Sequence, residues 1–430
     1  MLPKIVFFNI VQSLFFIPFL TIAFLCSIIA RFKSKKNNKP RLVWGSTPII
    51  NYSYWSKAMK RVNYNSETFT KGYYTIINKR DDWDKIIEEC YQTLPYHFRG
   101  FFAFLESLFK YDVFVISFDG FFIGNTLFEN FQAQIMKIAK KKVIILPYGS
   151  DSYSYKMIRS TSLIHGLIMS YPEASRKQKY ITNKVDYWCK YADAVITGIM
   201  GPDGFGRWDV LTPSPFCIDL DQWKPSLKRN LANGIDDRVV IAHAPNHRGF
   251  KGTEFIIQSI EKLKSEGLLI ELILIEKKQN TEVKRILCEE TDILVEQLIA
   301  TGHGFNALEG MASGITVISN LEDDAYLLPM RRWSFFSECP IVSATPETLT
   351  DVLRKLVTRP ELRCQLGRVG REYVEKYHGF DSAQYLFSNV IDYVYGRKES
   401  LINLYHPLLG EYPNRSPKIK HPLVNNRIID

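Results

Sequence analysis

Two stretches of the C-terminal half, VVIAHAPNHRGFKG (residues 239–252) and TGHGFNALEGMASG (residues 301–314), decide the reading of this chain. Each reads as a strand running into a loop of glycines and polar groups, followed by a helix. In a parallel sheet such loops emerge at the carboxyl edge of the strands, where open α/β folds bind ligands. The first loop carries Arg248 and Lys251. The second carries Gly302, His303 and Gly304 and, one helical turn further, Glu309. Glycines ahead of a helix N-terminus leave backbone N–H groups open to phosphate oxygens. Arg248 grips such oxygens as a fork and Lys251 as a point charge. Glu309 is placed to accept hydrogen bonds from ribose or sugar hydroxyls. The ligand these pieces imply is a nucleoside diphosphate joined to a sugar.

Working outward, a second alternating block surrounds the two loops. Its pieces are a strand at 239–243, a helix at 253–264, strands at 269–275 and 293–296, a helix at 305–313 and a strand at 315–319. On the 305–313 helix, Phe305, Leu308, Met311 and Ala312 share one face, and Gly314 supplies the left-handed stop. Helices follow at 347–359, 361–377 and 383–395. Upstream, strands at 41–45, 112–118, 142–147 and 192–197 alternate with helices at 52–61, 83–90, 130–140 and 180–191. Alternation of this kind predicts a doubly wound parallel α/β sheet. The run at 98–109 holds five phenylalanines and reads as a core-facing helix, with a surface that touches lipid or a lipid-linked acceptor as the alternative. A chain of 430 residues exceeds one ordinary core, and the polar, turn-rich stretch near 224–237 is the natural linker. On the N-terminal side of a cleft, Gly45, Ser46 and Thr47 end one strand, and Asp151 follows another. Asp151 is the candidate to orient or deprotonate an acceptor hydroxyl. A cap or turn role is its alternative.

Residues 5–30 contain no charged side chain, long enough for a bilayer crossing, with Pro18 as a kink. They lead into six basic residues between Arg31 and Arg41. The pattern predicts an uncleaved, single-pass transmembrane anchor with the basic side in the cytoplasm, against anionic headgroups. Its alternatives are a cleaved signal peptide and a helix lying in the membrane plane. Seven scattered cysteines without a C-x-x-C pair agree with a reducing compartment. The net charge of +10 points to an anionic partner, but no further Lys/Arg stripe or nucleic-acid motif accompanies it, so the expectation is no nucleic acid. Neither the cysteines nor His243 and His247 have metal-site spacing, and none is expected to bind metal.

On these residues the chain resembles a known family. The blocks HAPNHRGFKGT (243–253), DILVEQ (292–297) and GFNALEGMASG (304–314), with PSPFCIDLDQWKP (213–225) ahead of the linker, are similar to nucleotide-sugar glycosyltransferases of the GT-B fold, family 4 above all. The resemblance implies two Rossmann-like domains facing across a cleft, the acceptor held by residues 43–225 and the donor by residues 236–382. Residues 1–30 would be the anchor, 31–42 a basic juxtamembrane segment, and 383–430 a helix returning to the first domain plus a loosely packed tail. Lys251 matches the family's diphosphate-binding lysine, Glu309 the second glutamate of its paired motif, and Gly304 the glycine between them. Arg248 is a looser match. Thr301 stands where the first glutamate is expected, and His303 where an aromatic is. The expected chemistry is retaining, metal-independent sugar transfer without a cofactor, onto a lipid-linked or glycan acceptor. Asp219-Leu-Asp221 fits a metal-binding Asp-x-Asp only nominally. Two other readings stand beside it: a catalytically silent membrane scaffold, suggested by Thr301, and a sugar-nucleotide epimerase or phosphorylase.

Overall fold

The computed structural model describes residues 12–33, 39–75, 78–199, 202–225, 231–415 and 418–429. Seven parallel strands form the first sheet: β1 (Leu42–Ser46), β2 (Ser66–Thr70), β3 (Lys85–Ile86), β4 (Val113–Ile116), β5 (Lys142–Ile145), β6 (Ala194–Thr197) and β7 (Val210–Leu211). Their order is β3-β2-β1-β4-β5-β6-β7. The second sheet, also parallel, contains β8 (Val239–His243), β9 (Ile270–Leu274), β10 (Ile293–Thr301), β11 (Thr316–Asn320) and β12 (Val342–Ser343), in the order β12-β11-β10-β8-β9. Apolar runs such as Val113–Ile116 are buried on both faces, which is why they show no in-out alternation. Three of these strands, β2, β7 and β12, had no counterpart in the sequence reading. Residues 83–90, expected as helix, divide into β3 and a single turn, Ile87–Cys90.

The order of the second sheet places its topological switch point between β8 and β10, which pair directly through Ile293 and Leu294. Chain leaving β8 and chain leaving β10 therefore diverge from adjacent strand ends, opening a crevice between them. This is what brings the two opening motifs together.

The helix Phe380–Val394 packs along the first-domain helix Ile50–Arg61. Gln384 Nε2 donates to the Ala58 carbonyl at 3.0 Å, and Phe387 sets its ring edge-on to Trp44 at 4.7 Å. On the other side of the cleft the helix Thr161–Ser170 reaches the second domain, where Phe250 N donates to Ser170 Oγ. The two domains are thus joined on both flanks of the crevice.

Two expectations are corrected at the chain ends. From Phe16 to Lys33 the chain is one helix, but it lies on the first domain, against the helices Tyr96–Lys110 and Gln132–Ile138. Phe19, Ala23, Ser27 and Ala30 form its buried stripe. Phe19 meets Phe101 at 4.5 Å and Phe128 at 4.4 Å, and Gln12 accepts a hydrogen bond from Leu127 N. Among the described residues no helix is long and apolar enough to cross a bilayer, so the span expected over residues 5–30 has no support there. Residues 1–11, and 34–38 of the basic segment, lie outside the described residues. The tail after Tyr395 is not loose. Leu401, Leu404, Tyr405, Tyr412 and Ile419 are buried, and a hairpin of β13 (Leu423–Val424) and β14 (Arg427–Ile428) closes it. At its turn Asn426 Nδ2 donates to the carbonyls of Cys339 and Ile341.

Candidate functional site

A cavity of ≈ 1260 Å³ occupies the crevice between the carboxyl edges of the two sheets. Arg248, Lys251, His303, Gly304, Phe305, Asn306 and Glu309 line it from the second domain, and Tyr148, Gly149 and Ser150 from the first.

Lys251 ends the short helix Arg248–Lys251, and Gly252 (φ +77°) terminates it in the left-handed conformation. A side chain at 252 is disfavoured twice, by that φ and by Leu298 Cβ, 3.0 Å from where a Cβ would stand. The turn directs Lys251 inward, where its Nζ lies 2.5 Å from Glu296 Oε1 and 2.8 Å from Gln297 Oε1. Both carboxylate oxygens of Glu296 also accept from Gly304 N at 3.2 Å, and one accepts from Ser319 Oγ at 3.1 Å. Glu296 is buried, so its charge is offset by the ammonium and by two further donating groups, as burial of a carboxylate demands. Gly304 is the N-cap residue of the helix Phe305–Ala312. Its own φ and ψ (−99°, −167°) are open to any residue; what requires glycine is proximity, since a Cβ there would stand 3.0 Å from Glu296 Oε1.

Glu309 lies on the second turn of that helix, buried, with Oε2 accepting from Asn306 Nδ2 at 3.0 Å. Burial raises its carboxyl to about 7. His303 is 3% exposed, its ring nearly parallel to Phe336 at 6.3 Å, and neither ring nitrogen has a hydrogen-bond partner among the described residues. Burial lowers its pKa, favouring the neutral ring. The edge of His378 approaches it at 6.3 Å; that imidazole is pushed down to about 3 by burial, while its Nδ1 lies 2.9 Å from the Phe216 carbonyl. Arg248 sits at the rim, 2.9 Å from Glu254 and 3.4 Å from Glu276.

The structure therefore brings Arg248, Lys251, His303, Gly304 and Glu309 to one wall of one cavity. It does not bring the rest of the predicted set there. Gly302 (φ +90°) backs onto the domain boundary, where a Cβ would stand 2.6 Å from Ile199 Cγ2. Asp151 is buried away from the cavity lining. Its oxygens accept from Phe118 N, Tyr148 N and Gly149 N, which ties it to the turn after β5, and burial raises its carboxyl to about 7. Ser46 is likewise buried, with Oγ accepting from Phe122 N, and neither Gly45 nor Thr47 lines the cavity. Thr301 is buried at the end of β10, opposite Asn320. Sequence reasoning missed Glu296 and Gln297. Their signal was there: they interrupt the otherwise apolar strand ILVEQLIAT, and polar side chains in a fully buried strand need partners.

No protein-family model matches the chain, and no curated protein matches it. Solved structures do. Sucrose-phosphate synthase from Thermosynechococcus elongatus superposes with a TM-score of 0.53 at 12% identity, covering 84% of this chain and 100% of that one. Anabaena HepE in complex with UDP-glucose gives 0.52 at 11% identity, covering 82% and 99%. The fold is that of the GT-B glycosyltransferases. At such identities the likeness concerns architecture: two α/β domains with parallel sheets facing across a cleft. It extends over most of the chain, whereas the sequence blocks that carry the resemblance lie in the second half.

Proposed function

We propose that the protein transfers a sugar from a nucleoside-diphosphate donor, held by the second domain, to an acceptor hydroxyl presented by the first. The observation that carries this reading is the convergence of Lys251, the Gly304 helix N-terminus and Glu309 on one wall of the crevice at the switch point. As the glycosidic bond breaks, negative charge grows on the departing diphosphate. The Lys251 ammonium and the first N–H groups of the helix Phe305–Ala312 are fixed donors for that charge, in a site largely shielded from water. Glu309 and Asn306 are placed to take ribose or sugar hydroxyls. His303, with two unpartnered ring nitrogens, supplies one donor and one acceptor to the same ligand. We carry the retaining, metal-independent character over from the family resemblance, and product anomer analysis with and without chelator tests it.

A lipid-linked or glycan acceptor fits the first domain's surface. On the helix Phe16–Lys33 the face turned from the protein exposes Ile17 (75%), Leu25 (56%) and Phe32 (82%), beside the basic stretch ending at Arg41. An apolar face flanked by positive charge suits attachment in the plane of an anionic membrane, on the cytoplasmic side where free cysteines persist. The decisive experiment is a panel of nucleotide-sugars with membrane lipid extract, following release of nucleoside diphosphate. Release that depends on extract and disappears in Lys251→Ala supports the reading. Binding of nucleotide without any release favours the silent scaffold suggested by Thr301.

A further inference from the structure

The cations of the donor wall are not free. Lys251, the best candidate for the diphosphate, already faces a buried carboxylate at 2.5 Å, and the same carboxylate takes the Gly304 N–H at the start of the helix Phe305–Ala312. These are two of the donors that a diphosphate would use. The side chains are 10% and 0% exposed, so water screens the pair little. The pair is not a by-product of crowding: residue 304 lacks a Cβ where one would press on Glu296 Oε1 at 3.0 Å and stand 3.9 Å from Lys251 Nζ. Ser319 Oγ, from the neighbouring strand, adds a further hydrogen bond that fixes the carboxylate.

We propose that Glu296 is the internal counter-ion of the donor site, sharing Lys251 and the Gly304 N–H with the diphosphate and so weakening the hold on it. Resting on the proposed transferase reading, this makes Glu296 a positioning residue, absent from the cavity lining, that acts through Lys251. Donor binding becomes a competition between two anions for one ammonium. When the leaving diphosphate has formed, the carboxylate behind Lys251 favours its departure. The protein thereby holds one lysine in a fixed orientation without creating a deep anion trap, which would bind product as tightly as donor.

The test is calorimetric titration of UDP, CDP, GDP and ADP into the full chain and its Glu296→Gln and Glu296→Ala variants, with thermal unfolding of each. Glutamine keeps an acceptor for Lys251 and loses the charge. The expected result is at least fivefold tighter binding of the preferred nucleotide to Glu296→Gln, with a larger nucleotide-induced rise in Tm than the parent shows. Turnover, once an acceptor is in hand, falls in kcat more than in KM as product release slows. Glu296→Ala, which also frees Lys251 to move, is expected to gain less or nothing. Unchanged or weaker binding to a folded Glu296→Gln overturns the proposal, because a merely structural glutamate predicts that outcome. If neither the parent nor the variants bind any of the four nucleotides, it is the transferase reading that fails; the counter-ion role is then overturned only if Glu296→Gln also leaves the reactivity of the Lys251 amine toward acetic anhydride unchanged.

Discussion

Glu309 shows how much of the site one residue type and its spacing can reveal. A glutamate on the second turn of a helix opened by glycines was legible as a hydroxyl acceptor, and the structure puts it in the cavity wall. Its burial was not legible, and burial is what makes it titrate near neutrality. The sign of the consequence follows. A carboxyl raised from 4.5 to about 7 in the folded state binds its proton more tightly there than in the unfolded chain, so its stabilising contribution is complete below pH 4.5 and is lost as pH rises through 7. Glu309→Gln should remove that loss. Urea unfolding at pH 5 and pH 8 is expected to show the parent losing on the order of 3 kcal/mol more than the variant across that interval; equal losses would count against a buried neutral Glu309. Asp151 teaches the opposite lesson. An aspartate just past a strand end serves catalysis or turn geometry equally well, and what the structure adds is three backbone donors that tie it to the turn. Glu296 lay hidden for a different reason: its partner Lys251 is 45 residues away in sequence, so no local pattern pairs them.

At the scale of elements, the long apolar strands and many helices of both blocks were legible because apolar runs and helical periodicity are local properties, whereas β2, β7 and β12 and the helices Thr161–Ser170, Asn280–Glu289 and Asp324–Trp333 were not. The helix Phe16–Lys33 was legible as a helix, while the span expected of it has no support among the described residues. Composition alone reports a charge-free stretch; whether lipid or protein covers it depends on the phenylalanine-rich surface of the helix Tyr96–Lys110. The buried positions 19, 23, 27 and 30 are at helical spacing, yet the positions between them are apolar as well, which erases the stripe from the sequence. Phe19→Ala should open a cavity among Phe101 and Phe128 and cost about 3 kcal/mol, read as a lower denaturant midpoint. A helix merely resting in lipid, with no protein contact at Phe19, would leave the midpoint in detergent unchanged. The tail was misread because its anchors, Leu401, Leu404, Tyr405, Tyr412 and Ile419, have no regular period.

For the whole molecule, alternation of strand and helix foretold two parallel sheets but not their order, and order creates the crevice. The pairing of β8 with β10 is a long-range fact that makes two distant loops neighbours. The excess of positive charge, which suggested an anionic partner, is not concentrated at the donor wall, where Arg248 and Lys251 both face carboxylates. Flotation with phosphatidylglycerol vesicles is expected to carry the protein at low salt, and Ile17→Ser with Phe32→Ser should abolish it; equal flotation of that double variant would assign binding to charge alone. The central claim, that the second domain holds a nucleoside diphosphate through Lys251 and Glu309, is tested most directly by titrating the four nucleoside diphosphates into the parent, Lys251→Ala and Glu309→Ala. The account predicts saturable binding of one nucleotide to the parent and affinity at least tenfold weaker in both variants. Binding that both substitutions leave intact would contradict it.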